Sequence, residues 1–530
     1  MRTNLLKLSL LLSLLISIAS YGQLPCGRES MTSSQRQDII LQRENYDKLH
    51  VASSSRKAAI TNLDSGVTYL PIRAHIVQKD GEGLPLSHLN NGIAITNKFF
   101  REAGNGIQFY LAGISPNYIE DSTLYNYDAG KKNSLGNTDE QRITGKYGVR
   151  NAINVYFFNN VKTNGHGTDV GGYAYFPDTA NYSNHVFMVN SQSNDNITLP
   201  HEMGHYLQLA HTFDSSADPE PTVREIVTRN KKENKHNRKS ANCATNGDLI
   251  CDTPSDPYDR IKSFFKGCTY DVSASKTADI NDDAYTPMMN NIMAYFQCGT
   301  FMFTPQQLEV MGGVALKARL NVNNKYVING ANSWQPTNVK APILIKPTAD
   351  SLGVKITWKD KSTNETGFFI ERAKSKTEPF YAIGGVESND TVFIDKNVVA
   401  KQKYYYRIKP SNTTTNSLSE VDSISVLITS KGRVGAELSN SNLYSEGNKS
   451  QLTVFPNPSA GQEFYVSSLG DIGSTSIAIY SMTGQSILFK QKTIDAQTVS
   501  IEPVQKLISG VYLIVSESEG KVNAVKVVIE

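Results

Sequence analysis

Hydrophobic and polar residues change rhythm several times along the chain. An apolar run from Leu8 to Ala19 follows Arg2 and Lys7 and ends at Ser20-Tyr-Gly22. At about 12 residues it is short of the roughly 20 that cross a bilayer, so it reads as a signal peptide over 1–22, cut near Gln23. No later apolar run is longer, which predicts export and no transmembrane segment. From 23 to 66 the pattern is polar, with Ser33-Ser-Gln-Arg36 and Ser53-Ser-Ser-Arg-Lys57 and few apolar clusters. That composition suits a pro-segment or a disordered arm better than a core.

At Tyr69 the pattern becomes Tyr-Leu-Pro-Ile-Arg-Ala-His-Ile-Val77, which alternates like a half-buried strand. Helical spacing over Ile93–Ala103 leads through Gly104-Asn-Gly106 into a strand at Ile107–Leu111. Further strands are expected at Asn154–Phe158 and Val186–Val189. Strands mixed with helices, ahead of a helix that carries histidines, predict an α/β fold. Beyond Pro336 short strands recur between turn residues, at Val354–Trp358, Gly367–Arg372, Tyr404–Ile408 and Ser423–Ile428, the habit of an all-β sandwich. A Ser/Gly/Asn-rich linker over 431–450 precedes a last set of strands. The expected organisation is multidomain: signal peptide 1–22, pro-segment 23–66, an α/β domain 67–335, and two all-β sandwich domains at 336–430 and 451–530.

Charge changes this picture little. The 53 basic and 50 acidic residues nearly cancel, and the basic stretch Arg229–Lys239 lacks interleaved aromatics, so it reads as a solvated loop and nucleic acid is not an expected partner. The five cysteines fit an oxidising compartment. Cys26 stands alone, whereas Cys243, Cys251, Cys268 and Cys298 permit two disulfides in any of three pairings.

The chemistry concentrates in Leu199-Pro-His-Glu-Met-Gly-His-Tyr-Leu-Gln-Leu-Ala-His211. His201 and His205, at i and i+4, share one helix face and can reach one tetrahedral zinc, with His211 as third ligand. A water in the open fourth position would have its pKa lowered toward about 7, and Glu202 could take its proton as it attacks a peptide carbonyl. Chance gives this three-histidine pattern in a chain of this size roughly 1 time in 10,000. A thermolysin-like arrangement would instead take a glutamate such as Glu225 as third ligand.

His-Glu-x-x-His with a third histidine and a downstream methionine resembles the metzincins, and among them the pappalysin (cytophagalysin) family. Gly172-Tyr-Ala-Tyr-Phe-Pro177, His211-Thr-Phe213, Gly247-Asp-Leu-Ile-Cys-Asp-Thr-Pro254, Asn291-Ile-Met-Ala-Tyr295 and Phe303-Thr-Pro-Gln306 carry the likeness over about residues 68–320. It implies a secreted zinc endopeptidase in which Met293 is the Met-turn residue beneath the metal and Tyr295 an oxyanion donor. It also implies calcium near Asp252 and Thr253, and a latent state in which the Cys26 thiolate of Cys26-Gly27 occupies the zinc until a cut near Arg56-Lys57. The family has glycine where Gln208 stands; a positive φ there would cost roughly 1 kcal/mol. No acidic residue follows Tyr295 in Phe296-Gln-Cys298-Gly-Thr300, which argues against the arginine preference of some relatives.

Trp358, Asn364-Glu-Thr-Gly-Phe368 and Tyr404–Ile408 resemble a fibronectin type III module. Val454-Phe-Pro-Asn-Pro458, Ile477–Gly484, Ser509–Val515 and the closing Val525–Ile529 resemble the C-terminal sorting domain of the type IX secretion system, which implies the secretion machinery as a partner and a secreted or cell-surface location. Protein or peptide substrates follow from the peptidase reading. The competing reading is a surface adhesion or binding protein with an incompetent metalloprotease domain.

Overall fold

The structure, a computed structural model, describes residues 26–28, 30–50, 67–102, 106–163, 169–176, 185–229, 239–261, 265–266, 269–270, 278–296, 298, 301–315, 334–350, 353–399, 402–415, 417–425, 452–455, 459, 461–468, 476–481, 487–495, 498–504, 506–507, 510–518 and 521–529. The signal peptide, the sites at Arg56-Lys57 and Cys268, the basic stretch at 230–238 and the linker at 431–450 lie outside them. The chain forms two compact units, Met1–Asp395 with Ala400–Lys431, and Lys396–Val399 with Gly432–Glu530.

The first unit starts with helix α1, Ser33–His50, within the stretch whose polarity suggests a pro-segment or a disordered arm. A capping box starts it: Gln35 N–H donates to Thr32 Oγ1 and Thr32 N–H to Gln35 Oε1. The α/β part runs through β1 (Thr68–Gln78), α2 (Leu86–Glu102), β2 (Ile107–Leu111), β3 (Asn117–Glu120), β4 (Asn126–Asp128), α3 (Asp139–Tyr147), β5 (Ile153–Phe158), β6 (Asn160–Lys162), β7 (Gly172–Ala174), β8 (His185–Val189) and α4 (Thr198–Tyr206). The main sheet has the order β2-β1-β5-β8-β7, with β3 also pairing β1. Its strands are parallel except β7, which runs antiparallel to β8 along the edge.

The alternation read in β1 does not survive: Pro71, His75 and Val77 are buried as well as Leu70, Ile72, Ala74 and Ile76. As an interior parallel strand β1 is covered on both faces, which removes the solvent side that alternation reports. One face carries Ile72, Phe109, Val155 and Phe157 with α2 and α4; the other carries Tyr127, Tyr156, Phe158, Tyr173 and Phe187.

Residues beyond 336 form a sandwich of a three-stranded sheet (Ile343–Asp350, Gly353–Lys359, Val392–Asp395) and a four-stranded one (Tyr381–Glu387, Gly367–Ala373, Lys403–Pro410, Asp422–Ser425). It is continuous with the α/β part. Phe369 and Ala382 join the core that holds α2 and α4. Asn90 Nδ2 on α2 donates to Thr366 O at 3.1 Å, Gly385 N donates to Asn91 Oδ1 at 3.3 Å, and Leu111 N donates to Ser411 O at 2.8 Å.

The second unit pairs Leu452–Phe455, Phe464–Ser468, Thr498–Pro503 and Phe489–Asp495 in one sheet and Ser476–Ser481, Gly510–Ser518 and Lys521–Ile529 in another, around Phe464, Val466, Ile479, Val499, Ile501, Ile514 and Val527.

Candidate functional site

Helix α4 is buried along its whole length. Asp195 starts it, accepting from the N–H of Ile197 and of Thr198 at 3.0 and 2.6 Å and from the Thr198 hydroxyl at 2.6 Å. A Schellman motif ends it: Gln208 N–H donates to His205 O and Leu209 N–H to Gly204 O. Gln208 takes the left-handed position of that motif, with φ 72°, so the strain expected from a non-glycine residue is present. The reversed chain then brings His211 back beneath the helix.

The three imidazoles meet. His201 Nε2 and His205 Nε2 lie 3.3 and 3.2 Å from His211 Nε2. Ligands of a tetrahedral zinc at its usual 2.0–2.1 Å to nitrogen stand about 3.3–3.4 Å apart. His201 Nδ1 faces the Ile292 carbonyl at 2.7 Å and His205 Nδ1 the Leu209 carbonyl at 2.6 Å. A carbonyl only accepts, so each Nδ1 carries the hydrogen and each Nε2 turns a lone pair inward. Lone pairs this close repel one another unless a cation lies between them, so the donor set fits a divalent metal. Burial pushes the His201 pKa down to about 4 and that of His205 well below its ordinary value, which also favours neutral, ligating rings.

Glu202 is fully buried, and among the described residues neither carboxylate oxygen has a hydrogen-bond partner of good geometry. Burial raises its pKa to about 8, and the neighbouring Cys26 thiol and Arg28 offset part of that. The Cys26 sulfur and the three histidine nitrogens all lie within 4.8 Å of one another. Cys26 is not in a disulfide; burial, and then the Glu202 carboxylate, push its thiol pKa up. Bound metal would act in the opposite sense, since a coordinated thiol loses its proton.

Met293 is fully buried under α4, and Thr212 N, beside His211, donates to its carbonyl at 3.1 Å. The Tyr295 ring lies 4.9 Å from that of His211, and its hydroxyl donates to the Cys26 carbonyl at 3.1 Å. Asp252 and Thr253 belong to separate networks. Asp252 accepts from the Thr304 hydroxyl and Gln306 N–H at 2.6 and 2.8 Å, whereas Thr253 faces Asp248 and the Ile250 carbonyl. Glu225 is paired with Arg229 at 2.7 Å and is not part of the histidine cluster. Cys243 is bonded to Cys251, and Cys298 is also in a disulfide.

The carbonyls of Ile292 and Leu209 escape sequence reading because main-chain acceptors leave no residue signature. Asp214 and Arg36, joined at 2.6 Å, were also missed. The Thr32-x-x-Gln35 capping box ahead of Arg36, Ile39 and Arg43 was the available signal.

Three converging imidazoles, with a carboxylate next to the first of them on α4, form a donor set that could hold a metal ion. Residues 136–315 match the peptidase family described as Pregnancy-associated plasma protein-A, and residues 453–530 match the secretion system C-terminal sorting domain. An "Extracellular metalloprotease" of Colletotrichum graminicola is 26% identical over 265 residues, 46% of this chain and 77% of that protein. The chain thus carries a peptidase domain of the pappalysin family and a secretion sorting domain, and is a secreted or cell-surface metalloprotease. The sixth fibronectin type III domain of human fibronectin type III domain containing protein 3 is 17% identical over 20% of this chain and 97% of that one, at TM-score 0.15. A two-domain fibronectin type III segment of chicken tenascin is 13% identical over 37% of this chain and 99% of that one, at TM-score 0.13. At such scores the sandwich rests on its own strand order. Among the described residues no helix is long and apolar enough to cross a membrane.

Proposed function

We propose that this protein is a zinc endopeptidase of metzincin type, exported through the type IX pathway and made latent by residues 23–66. The observation that carries the reading is the convergence of His201, His205 and His211 Nε2 at separations of 3.2–3.3 Å beside the buried Glu202 carboxylate.

Those three nitrogens would hold zinc. When bound, zinc supplies a Lewis acid that lowers the pKa of water and polarises a peptide carbonyl. Glu202, fixed by α4, accepts the proton of the attacking water and returns it to the leaving amine. The Tyr295 hydroxyl, now given to the Cys26 carbonyl, would be free after release of the pro-segment to donate to the substrate's developing oxyanion. The Gly27 N–H donates to Gly172 O at 2.8 Å on edge strand β7, and a substrate backbone can pair with the same edge. Met293 supports the histidines from below and takes no part in the chemistry.

The test is metal content with proteolysis. Protein freed of residues 1–66 should hold one zinc and cut casein, and Glu202→Gln should keep the zinc while the rate drops at least about 100-fold. A variant that cuts as fast as the parent would overturn the proposal.

A further inference from the structure

We infer that the loop after His211, together with the 247–249 turn, is a docking surface for helix α1, and that this latch holds the chain latent without help from the Cys26 thiol. The inference rests on the peptidase reading above and adds a second, metal-independent restraint.

Arg36, Ile39 and Arg43, at i, i+3 and i+7, lie along one stripe of α1. Arg36 reaches Asp214 Oδ1 at 2.6 Å and Gly247 O at 2.7 Å, and Arg43 reaches Leu249 O at 2.5 Å. Between the two arginines Ile39 is completely buried, in a cluster with Met31, Phe176, Ala210 and Leu249. Gln42 Oε1 accepts from Gln208 Nε2 at 2.8 Å, so the residue that strains the turn after α4 is itself held by the pro-segment.

Asp214 gives the clearest sign that the surface is built for this occupant. Its side chain is buried, and among the described residues the hydrogen bonds to its carboxylate come from the pro-segment alone, Met31 N at 2.9 Å and Arg36 Nη2 at 2.6 Å. A buried carboxylate so dependent on one segment loses its compensation when that segment departs.

Tethering sets how the latch opens. A segment joined by a short linker has an effective concentration on the order of 1 mM, so even a micromolar affinity keeps it about 1000:1 docked. A cut between 51 and 66 removes the tether and leaves every latch contact in place. The excised piece then stays bound at high protein concentration and leaves on dilution.

The experiment uses zinc-loaded full chain carrying Cys26→Ala. Uncut, it should cleave casein at less than about one-tenth of the rate reached once the pro-segment is removed, and adding Arg36→Ala should raise the uncut rate at least tenfold. Nicked between 51 and 66, it should gain about three- to fourfold in specific activity on dilution from 10 µM to 10 nM, since a complex of about 1 µM affinity is roughly a quarter dissociated at the first concentration and almost wholly at the second. Calorimetry with a synthetic 26–50 peptide, Cys26→Ser, should read micromolar binding to the freed protein, weakened at least tenfold by Arg36→Ala or Ile39→Asp; the peptide variants need no folding. Full activity of uncut Cys26→Ala chain, or peptide binding indifferent to both substitutions, would overturn the latch. If freed protein cuts nothing yet binds the peptide with this pattern, the docking of α1 stands while the peptidase reading, and latency with it, falls.

Discussion

The Met293 sulfur lies 2.6 Å from the point where a β-carbon on Gly204 would stand. Glycine at that position lets the turn below α4 press against the helix, between His201 and His205. The same turn presents the Ile292 carbonyl to His201, so the contact sets both the support of the helix and the aim of one ring.

Gly204→Ala should therefore cost about 1–3 kcal/mol by overpacking. The shift should also displace Ile292 and weaken zinc retention. Chemical denaturation and metal titration against a competing chelator check the two effects together.

Gln208→Gly should act to different extents on two forms of the protein. Once the pro-segment is removed, relief of the positive φ should raise stability by about 1 kcal/mol. In the intact chain the gain should be smaller, because the hydrogen bond to Gln42 is lost. Thermal unfolding of both forms gives the difference.

His75 offers a pH test away from the metal. It is buried in β1, stacked on Tyr156 at 4.4 Å, with Nε2 facing Asn154 Oδ1 and Nδ1 facing Asn117 Nδ2. That pairing satisfies a neutral ring, and burial lowers the pKa to about 3. The unfolded chain takes up a proton near its ordinary 6.5, while the folded ring stays neutral. Stability due to this group is thus present above pH 6.5 and lost as pH falls toward 3, by at most about 1.4 kcal/mol per unit. His75→Gln should flatten the fall between pH 6 and 4 in denaturant titrations.

Truncation at 335 should leave an ill-folded protease. It would strip Phe369 and Ala382 from the core around α2 and leave Asn90 and Asn91 without their partners at Thr366 and Gly385. Circular dichroism and zinc binding of the shortened chain should both collapse; a stable, zinc-loaded fragment would show the sandwich to be dispensable.

The histidine helix was legible because ligand spacing and helix period coincide, so His201, Glu202 and His205 could be placed from their numbers alone. β1 was legible as a strand but not as an interior one, since only pairing on both sides reveals that its polar-looking positions are covered. α1 was hidden because its docking stripe has a single aliphatic residue, Ile39, between two arginines, and periodicity needs more apolar positions than that to register. The separation of Asp252 from Thr253 was equally invisible, because adjacent oxygen donors in sequence can serve opposite neighbours in space.

The two rings on α4 are aimed by peptide carbonyls, those of Ile292 and Leu209, rather than by acidic side chains. A carbonyl cannot be deleted by exchanging the residue that bears it. Mutational drift around this centre can therefore alter its rim freely, while insertions or deletions in either turn would misalign an imidazole outright; the scaffold tolerates spelling errors but not changes of length.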